Sequence, residues 1–452
     1  MRFTHYLNQE HSNRIIIIQL VLLFSLGLAG CKEEVVPEPF KPRPDHKGYV
    51  ASLKVAELDK TALGQDWISS AEKALYSATP ITSPFSETFY LNPNAALAIG
   101  YKFKTLRGQK LMVSVETHFK DSIGLFIDLF RVKNDSLRQY RHVASANKTA
   151  YLLGFEPRQD ADYILRLQPE LLRGGRFTIT IKQVPTLEFP VAGKNSRSIL
   201  SFFGAPRDGG RRVHHGVDIF AKKHTPIIAP VKGRIRRVDT TKLGGRVIWL
   251  YDEKRQQNLY FAHLESLYAE QFSDVDVGDT IGTVGKTGNA RYTPPHLHFG
   301  IYKNGPVDPL AFIKETKTEP SAIVPDTSLV GSWGRITRNS ALRASNTRRS
   351  SQIDTLSQFD MLKVLGASAN YFRVQLPNGT AGYVLGKNVE LSAEPIEQFT
   401  APTKMAILET LGDTTRIKTE IDAGASISVM GSFNDYKFIR TPLGAIGWVK
   451  GI

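Results

Sequence analysis

Cysteine is almost absent, with Cys31 alone among 452 residues. No intrachain disulfide can form, and no folded domain beyond that position has a thiol to act as nucleophile or metal ligand. Long hydrophobic runs are scarce as well. The stretch from Ile15 to Gly30 is interrupted by Gln19 and Ser25. It falls short of the ~20 apolar residues that span a bilayer, which argues against a permanent transmembrane helix. A His-Glu-x-x-His helix is missing, and with it the glutamate base that such a helix supplies. Acidic residues are in deficit, with 43 Asp and Glu against 58 Lys and Arg, for a formal net charge of +15. Such a surface attracts anionic polymers or membranes. No nucleic-acid-binding motif accompanies the charge, so nucleic acid is not expected as a partner.

What the chain does have is histidine in a pattern: His214-x-x-x-Asp218, a lone His263, and His296-x-His298. Residues two apart on a strand share a face, so the alternating run from His296 to Tyr302 projects His296 and His298 together while Leu297 and Phe299 pack behind. Around the first pair, His214-His215-Gly216-Val217-Asp218-Ile219-Phe220 reads as a loop entering a strand. Catalytic zinc takes three protein ligands from imidazole nitrogen and carboxylate oxygen and keeps a fourth position open. Two His and one Asp fill that scheme. With His214, Asp218 and His298 on the metal, His263 and His296 remain beside it, and an imidazole titrating near ~6.5 suits proton transfer there. His142, His215 and His224 are expected as solvated or hydrogen-bonded residues.

The flanking residues extend the pattern: Ser198 to Gly204, Ala229-Pro230-Val231-Lys232-Gly233, Tyr260-Phe261-Ala262-His263-Leu264, Val277-Gly278-Asp279, Gly285-Lys286-Thr287-Gly288 and Pro295-His296-Leu297-His298-Phe299. In this order, over roughly residues 195 to 315, the chain resembles the lysostaphin/LytM-type endopeptidases. The resemblance implies a small β-rich fold with a zinc groove, Zn2+ held by His214, Asp218 and His298, catalytic histidines at His263 and His296, and peptide crosslinks of bacterial peptidoglycan as substrate. Some relatives use the same fold as non-catalytic adaptors that activate other wall hydrolases; those typically lack several metal ligands. Where many relatives have Gly-Pro before the His-x-His, this chain has Thr293-Pro294-Pro295, which predicts a stiffer loop. No Asn equivalent to the blocking fourth ligand of some relatives is identifiable.

Residues 1–31 read as an export signal ending in the lipobox-like Leu28-Ala29-Gly30-Cys31. The similarity to bacterial lipoproteins implies acylation of Cys31, with more than one acyl chain giving stable membrane anchoring. The expected location is extracytoplasmic, on the outer membrane of a Gram-negative cell. Residues 32–47 carry Pro37, Pro39, Pro42 and Pro44 and read as an extended tether.

The expected fold class is mainly β and multidomain. A helical segment spans 48–79, where Trp67, Ile68, Ala71, Ala74 and Leu75 share one face. Short alternating runs over 80–186 predict a β-sandwich. The peptidase-like region takes 187–318, and a linker takes 319–329. Tyr371-Phe372-Arg373-Val374 with Gly382-Tyr383-Val384 matches Tyr436-Lys437-Phe438-Ile439 with Gly447-Trp448-Val449 at a constant offset. This repeat resembles bacterial SH3-like domains and places two small barrels at 330–391 and 402–452. The basic runs 234–237 and 207–212 are expected as solvated faces, with Arg211 and Arg212 as candidates to line the groove.

Overall fold

The computed structural model describes residues 45–118, 123–146, 150–315, 319–412 and 415–450. The signal segment, Cys31 and most of the tether lie outside these residues. No helix among the described residues is long and apolar enough to cross a membrane.

The chain divides into two compact units, the first ending at Ala62. That unit holds the helix His46–Val55, whose first turn is capped by the Asp45 carboxylate accepting from the Gly48 N–H. The single helical segment expected over 48–79 is in fact interrupted. Glu57 adopts a left-handed conformation (φ 58°) before a short 3-10 turn, and a second helix, Ala62–Tyr76, follows. In that second helix Trp67, Ala71 and Ala74 are buried at the expected three- and four-residue spacing, whereas Ile68 and Leu75 are only half-buried. The Trp67 Nε1–H donates to the Pro169 carbonyl at 2.8 Å, and its ring meets Phe126 edge-on.

Two sheets follow and pack face to face. One is ordered Thr79–Pro80, Ile99–Thr105, Ala161–Pro169, Leu125–Asn134, Gln139–Ser145. The other contains Phe85–Leu91, Gly175–Pro185, Gln109–Thr117 and Leu152–Phe155. Alternation decides which side chains enter the space between them: along Gly175–Pro185, Phe177, Ile179 and Ile181 are fully buried and their neighbours are not. Each such side chain contributes about 1.5–3 kcal/mol on leaving water. The second sheet does not stop at this layer. Thr88 and Phe89 pair with Ala367 and Gly366, so it runs on into the first C-terminal repeat. Glu87, fully buried at that seam, accepts from the Arg373 Nε–H at 2.8 Å and from the Tyr101 hydroxyl.

The peptidase-like region forms an antiparallel sheet ordered Ile199–Ser201, Val217–Phe220, His296–Tyr302, Gln257–Leu267, Gly245–Asp252, Gly233–Thr241, Asp274–Val275. Thr280–Val284 pairs with the C-terminal end of Gln257–Leu267, at Leu264 to Leu267, and carries Pro226–Ile228. Val217, Ile219, Leu259, Phe261, Leu297 and Phe299 form its core on one face. The opposite face carries Asp218, His296 and His298 beside Phe220, Tyr260 and Ala262.

In the C-terminal part, the repeat offset reappears in the strand ladders. Arg373 faces Tyr383 in the first copy, and Phe438 faces Trp448 in the second. The two copies share one core, in which Met361, Met430, Phe438 and Trp448 are buried together. Tyr383 and Trp448, the aromatics of the Gly-aromatic-Val strands, are both buried and so offer no exposed ligand platform.

Candidate metal centre

Strand register brings the first two ligand candidates together. Asp218 lies directly opposite His298 in the ladder between Val217–Phe220 and His296–Tyr302, so both side chains leave the same face. His214 reaches the pair from the loop just before the strand. Its Nε2 stands 2.9 Å from Asp218 Oδ1 and 2.9 Å from His298 Nδ1, and His298 Nδ1 is 3.1 Å from the same carboxylate oxygen. His296, two residues before His298, shares that face and stacks on Phe220. The expected alternation thus holds, with Leu297 and Phe299 fully buried behind.

His263 arrives differently. Ala262 is the residue opposite His298, so strict alternation sends His263 to the core face. Instead His263 takes φ 66°, in the left-handed region that few non-glycine residues occupy, and both Ala262 and His263 line the groove. Strain of this kind gathers at functional sites. The ring lies 5.0 Å from that of His296 and 6.1 Å from that of His298.

Backbone carbonyls orient three of the four imidazoles. Nδ1 of His214, His263 and His296 lies 2.9 Å from the carbonyls of Phe202, Thr287 and Pro294 respectively. A carbonyl only accepts, so each Nδ1 carries the proton and each Nε2 keeps its lone pair. For His214 that lone pair faces the donor cluster. For His263 and His296 it is the nitrogen left to exchange a proton in the groove.

These residues fit a metal. Two imidazole nitrogens and a carboxylate oxygen converge without a wall between them, and they are the His/Asp donor set that zinc favours. Space for the cluster depends on Gly216. A Cβ there would stand 2.4 Å from the Phe299 carbonyl oxygen and 2.8–2.9 Å from the His298 ring.

The electrostatics are those of a desolvated site. Burial raises the Asp218 pKa, but the His214 and His298 imidazoles set against its Oδ1 outweigh it and hold the carboxyl far below the usual carboxylate range. Burial, reinforced by the neighbouring His296 and His298, pushes the His263 pKa down to about 4. Burial likewise lowers His298, against the opposing hydrogen bond to Asp218. His263 is therefore neutral at physiological pH, as a proton acceptor must be.

Sequence reasoning missed Arg207. Its Nη2 donates to Asp218 Oδ2 at 2.7 Å and to Ser201 Oγ at 2.6 Å. The outer oxygen of Asp218 is thereby tied back while Oδ1 faces the two imidazoles. Arg212 lines the groove as expected, but Arg211 does not, and Arg207 is no solvated face. The groove, of about 500 Å³, has Asp218 as the one carboxylate in its lining. Tyr260 meets His298 edge-on at 5.9 Å and packs on Trp249 at 4.5 Å, which closes one side. His215 is exposed and stacks on Phe203, and His142 and His224 are exposed elsewhere, as expected.

Metal donors beside two imidazoles with free nitrogens, in an open groove, are the equipment of a metallohydrolase. Residues 212–309 match Peptidase family M23, and the chain carries an M23 peptidase domain with lysostaphin-type relatives. M23 peptidases are zinc metallopeptidases. The chain is 35% identical over 125 residues to the L-Ala--D-Glu endopeptidase of Bacillus subtilis, covering 26% of this chain and 38% of that protein. It is 33% identical over 103 residues to the peptidoglycan DD-endopeptidase ShyC of Vibrio cholerae, 22% of each. It is also 29% identical over 138 residues to the murein hydrolase activator NlpD of Escherichia coli, 30% of this chain and 33% of that one. The chain thus spans well under half the length of these curated relatives.

Proposed function

We propose that this protein is a zinc-dependent endopeptidase that hydrolyses peptide crosslinks of bacterial peptidoglycan. The observation that carries the reading is the joint presence of three converging metal donors and two imidazoles, His263 and His296, each with Nε2 free and Nδ1 fixed on a carbonyl. His214, Asp218 and His298 would hold zinc, which supplies Lewis acidity when bound. His263 and His296 transfer the proton between water and the leaving amine, and the Nε2 that has taken the proton stabilises charge that develops on the scissile carbonyl oxygen. Tyr260 and Trp249 limit water on one side of the groove. Export by residues 1–31 and acylation of Cys31 would place this centre at a membrane beside the wall, with 32–47 as the tether.

The relationship to a hydrolase activator favours a second reading, a non-catalytic adaptor. Retention of all five groove residues supports the enzyme instead. Purified peptidoglycan incubated with the protein, with and without a zinc chelator and beside His298→Ala, distinguishes the two. Peptides released by the wild type and absent from both controls support the endopeptidase. A wild type that releases nothing and binds no zinc overturns it.

A further inference from the structure

A second concavity, of about 960 Å³, lies between the sandwich and the peptidase region. Arg107, Lys110 and Arg158 line it from the sandwich, and Lys254, Arg255 and Lys303 line it from the peptidase side. Its only lining carboxylate, Glu156, is already matched: Lys254 Nζ lies 2.6 Å from Oε1 and Arg255 Nε 3.0 Å from Oε2. Asp252, buried beneath, is bound by Arg255 Nη1 at 3.0 Å and by Gln257. Two of the other cations meet neutral groups with their side chains, while the Arg107 backbone N–H donates to the Asp160 carboxylate at 2.8 Å. The Arg107 guanidinium lies 5.9 Å over the Phe312 ring, and Lys303 Nζ donates to the Arg255 carbonyl at 2.7 Å. Among the described residues, Arg107, Lys110 and Arg158 form no ion pair with a carboxylate.

Two domains therefore bring an uncompensated excess of positive charge into one hollow. Like charges gathered in one concavity repel each other, even where several of them, Arg158, Lys254 and Lys303, reach solvent. A ligand of high negative charge density offsets that repulsion. A single carboxylate supplies one charge, whereas a phosphate group supplies more and matches the planar fork of arginine with paired oxygens. The cleft also stands in a fixed relation to the metal centre. Lys303 directly follows the strand His296–Tyr302, and Gln257 begins the strand that ends beyond His263. Lys303 lies five positions beyond His298, a span of roughly 17 Å of extended chain.

We propose that this cleft binds a phosphate-bearing anion, with Arg107, Lys110 and Arg158 as its main contacts. The inference is independent of peptidase activity. The phosphate could come from a soluble compound or from a lipid headgroup, and the two sources separate in one experiment. Full-length protein in non-ionic detergent, with metal removed by a chelator so that the His/Asp centre does not compete, is titrated calorimetrically with pyrophosphate and, separately, with dihexanoyl-phosphatidylglycerol. Saturable binding of either probe is expected; tighter binding of pyrophosphate marks a soluble source, and tighter binding of the lipid marks a headgroup. Loss of two charged contacts in Arg107→Ala/Arg158→Ala weakens the preferred probe by at least about tenfold. Lys110→Gln weakens it as well, while Arg348→Ala/Arg349→Ala, exposed in the first repeat, leaves it unchanged. Unaltered melting temperatures establish that the cleft variants are folded. Failure of both probes to bind the wild type, or cleft variants that bind as the wild type does, overturns the proposal.

Discussion

Asp218 divides its two oxygens between tasks: Oδ1 faces His214 and His298, and Oδ2 is held by Arg207. An outer partner that fixes a ligand in this way typically accounts for 10–100-fold in metal affinity. Arg207→Ala is therefore expected to weaken zinc binding by about that factor in a chelator-competition assay, with little change in secondary structure by circular dichroism. The pH response belongs to this scale too. Burial lowers His263 from the ordinary 6.5 to about 4, so the unfolded chain binds its proton first as pH falls. The stabilisation from a neutral His263 is full above the unfolded value and drains away between pH 6.5 and 4. It is of order 3 kcal/mol for one group with this shift. His298 shifts the same way. Denaturant melts of metal-free protein across that window should show falling stability, and His263→Asn should flatten the slope without abolishing it. The five groove residues were legible in the sequence because four of them are histidines, of which the chain has 11, and two short patterns, His-x-x-x-Asp and His-x-His, hold four of the five. Arg207 was not, because its contact forms only when the short hairpin of Pro206–Arg207 with Arg212–Val213 turns it back onto Asp218. The carbonyls of Phe202, Thr287 and Pro294 that set the tautomers have no side-chain signature at all.

At the scale of elements, period-two alternation located the strand His296–Tyr302 and its buried neighbours, since burial of one face imposes it. It could not place His263, whose left-handed backbone interrupts the pattern. The close approach at Gly216 also supports the site, as a Cβ there would meet both the Phe299 carbonyl and the His298 ring. Gly216→Ala should cost about 1–3 kcal/mol of stability and abolish stoichiometric zinc, read by thermal melting and metal analysis. The helix face of Trp67, Ala71 and Ala74 was legible for the same reason as the strands. The seam between Phe85–Leu91 and Met361–Ser368 was not: residues nearly three hundred apart pair there, and no local pattern carries that information. Glu87 and Arg373 are buried across it, so truncating one strands the other. Glu87→Ala is expected to lower unfolding stability by about 3–5 kcal/mol, measured by denaturant titration.

Across the described residues, one peptidase region accompanies a sandwich fused by its sheet to a C-terminal repeat pair with a common core. Short alternating runs foretold the mainly β character, but which segments join was decided by long-range pairing. The excess of positive charge has at least one structural focus, the cleft between sandwich and peptidase region. It fits a protein that works among anionic polymers. The groove is proposed above to be a working zinc endopeptidase. Its most direct measurement is mass-spectrometric analysis of a purified, peptide-crosslinked muropeptide dimer incubated with zinc-loaded protein. Conversion of the dimer to monomers with one water gained and one new amine exposed is expected from the wild type, and none from His298→Ala or from His296→Ala reloaded with zinc. A wild type that holds zinc stoichiometrically yet leaves the dimer intact, or a His298→Ala variant that still cleaves it, would contradict the claim.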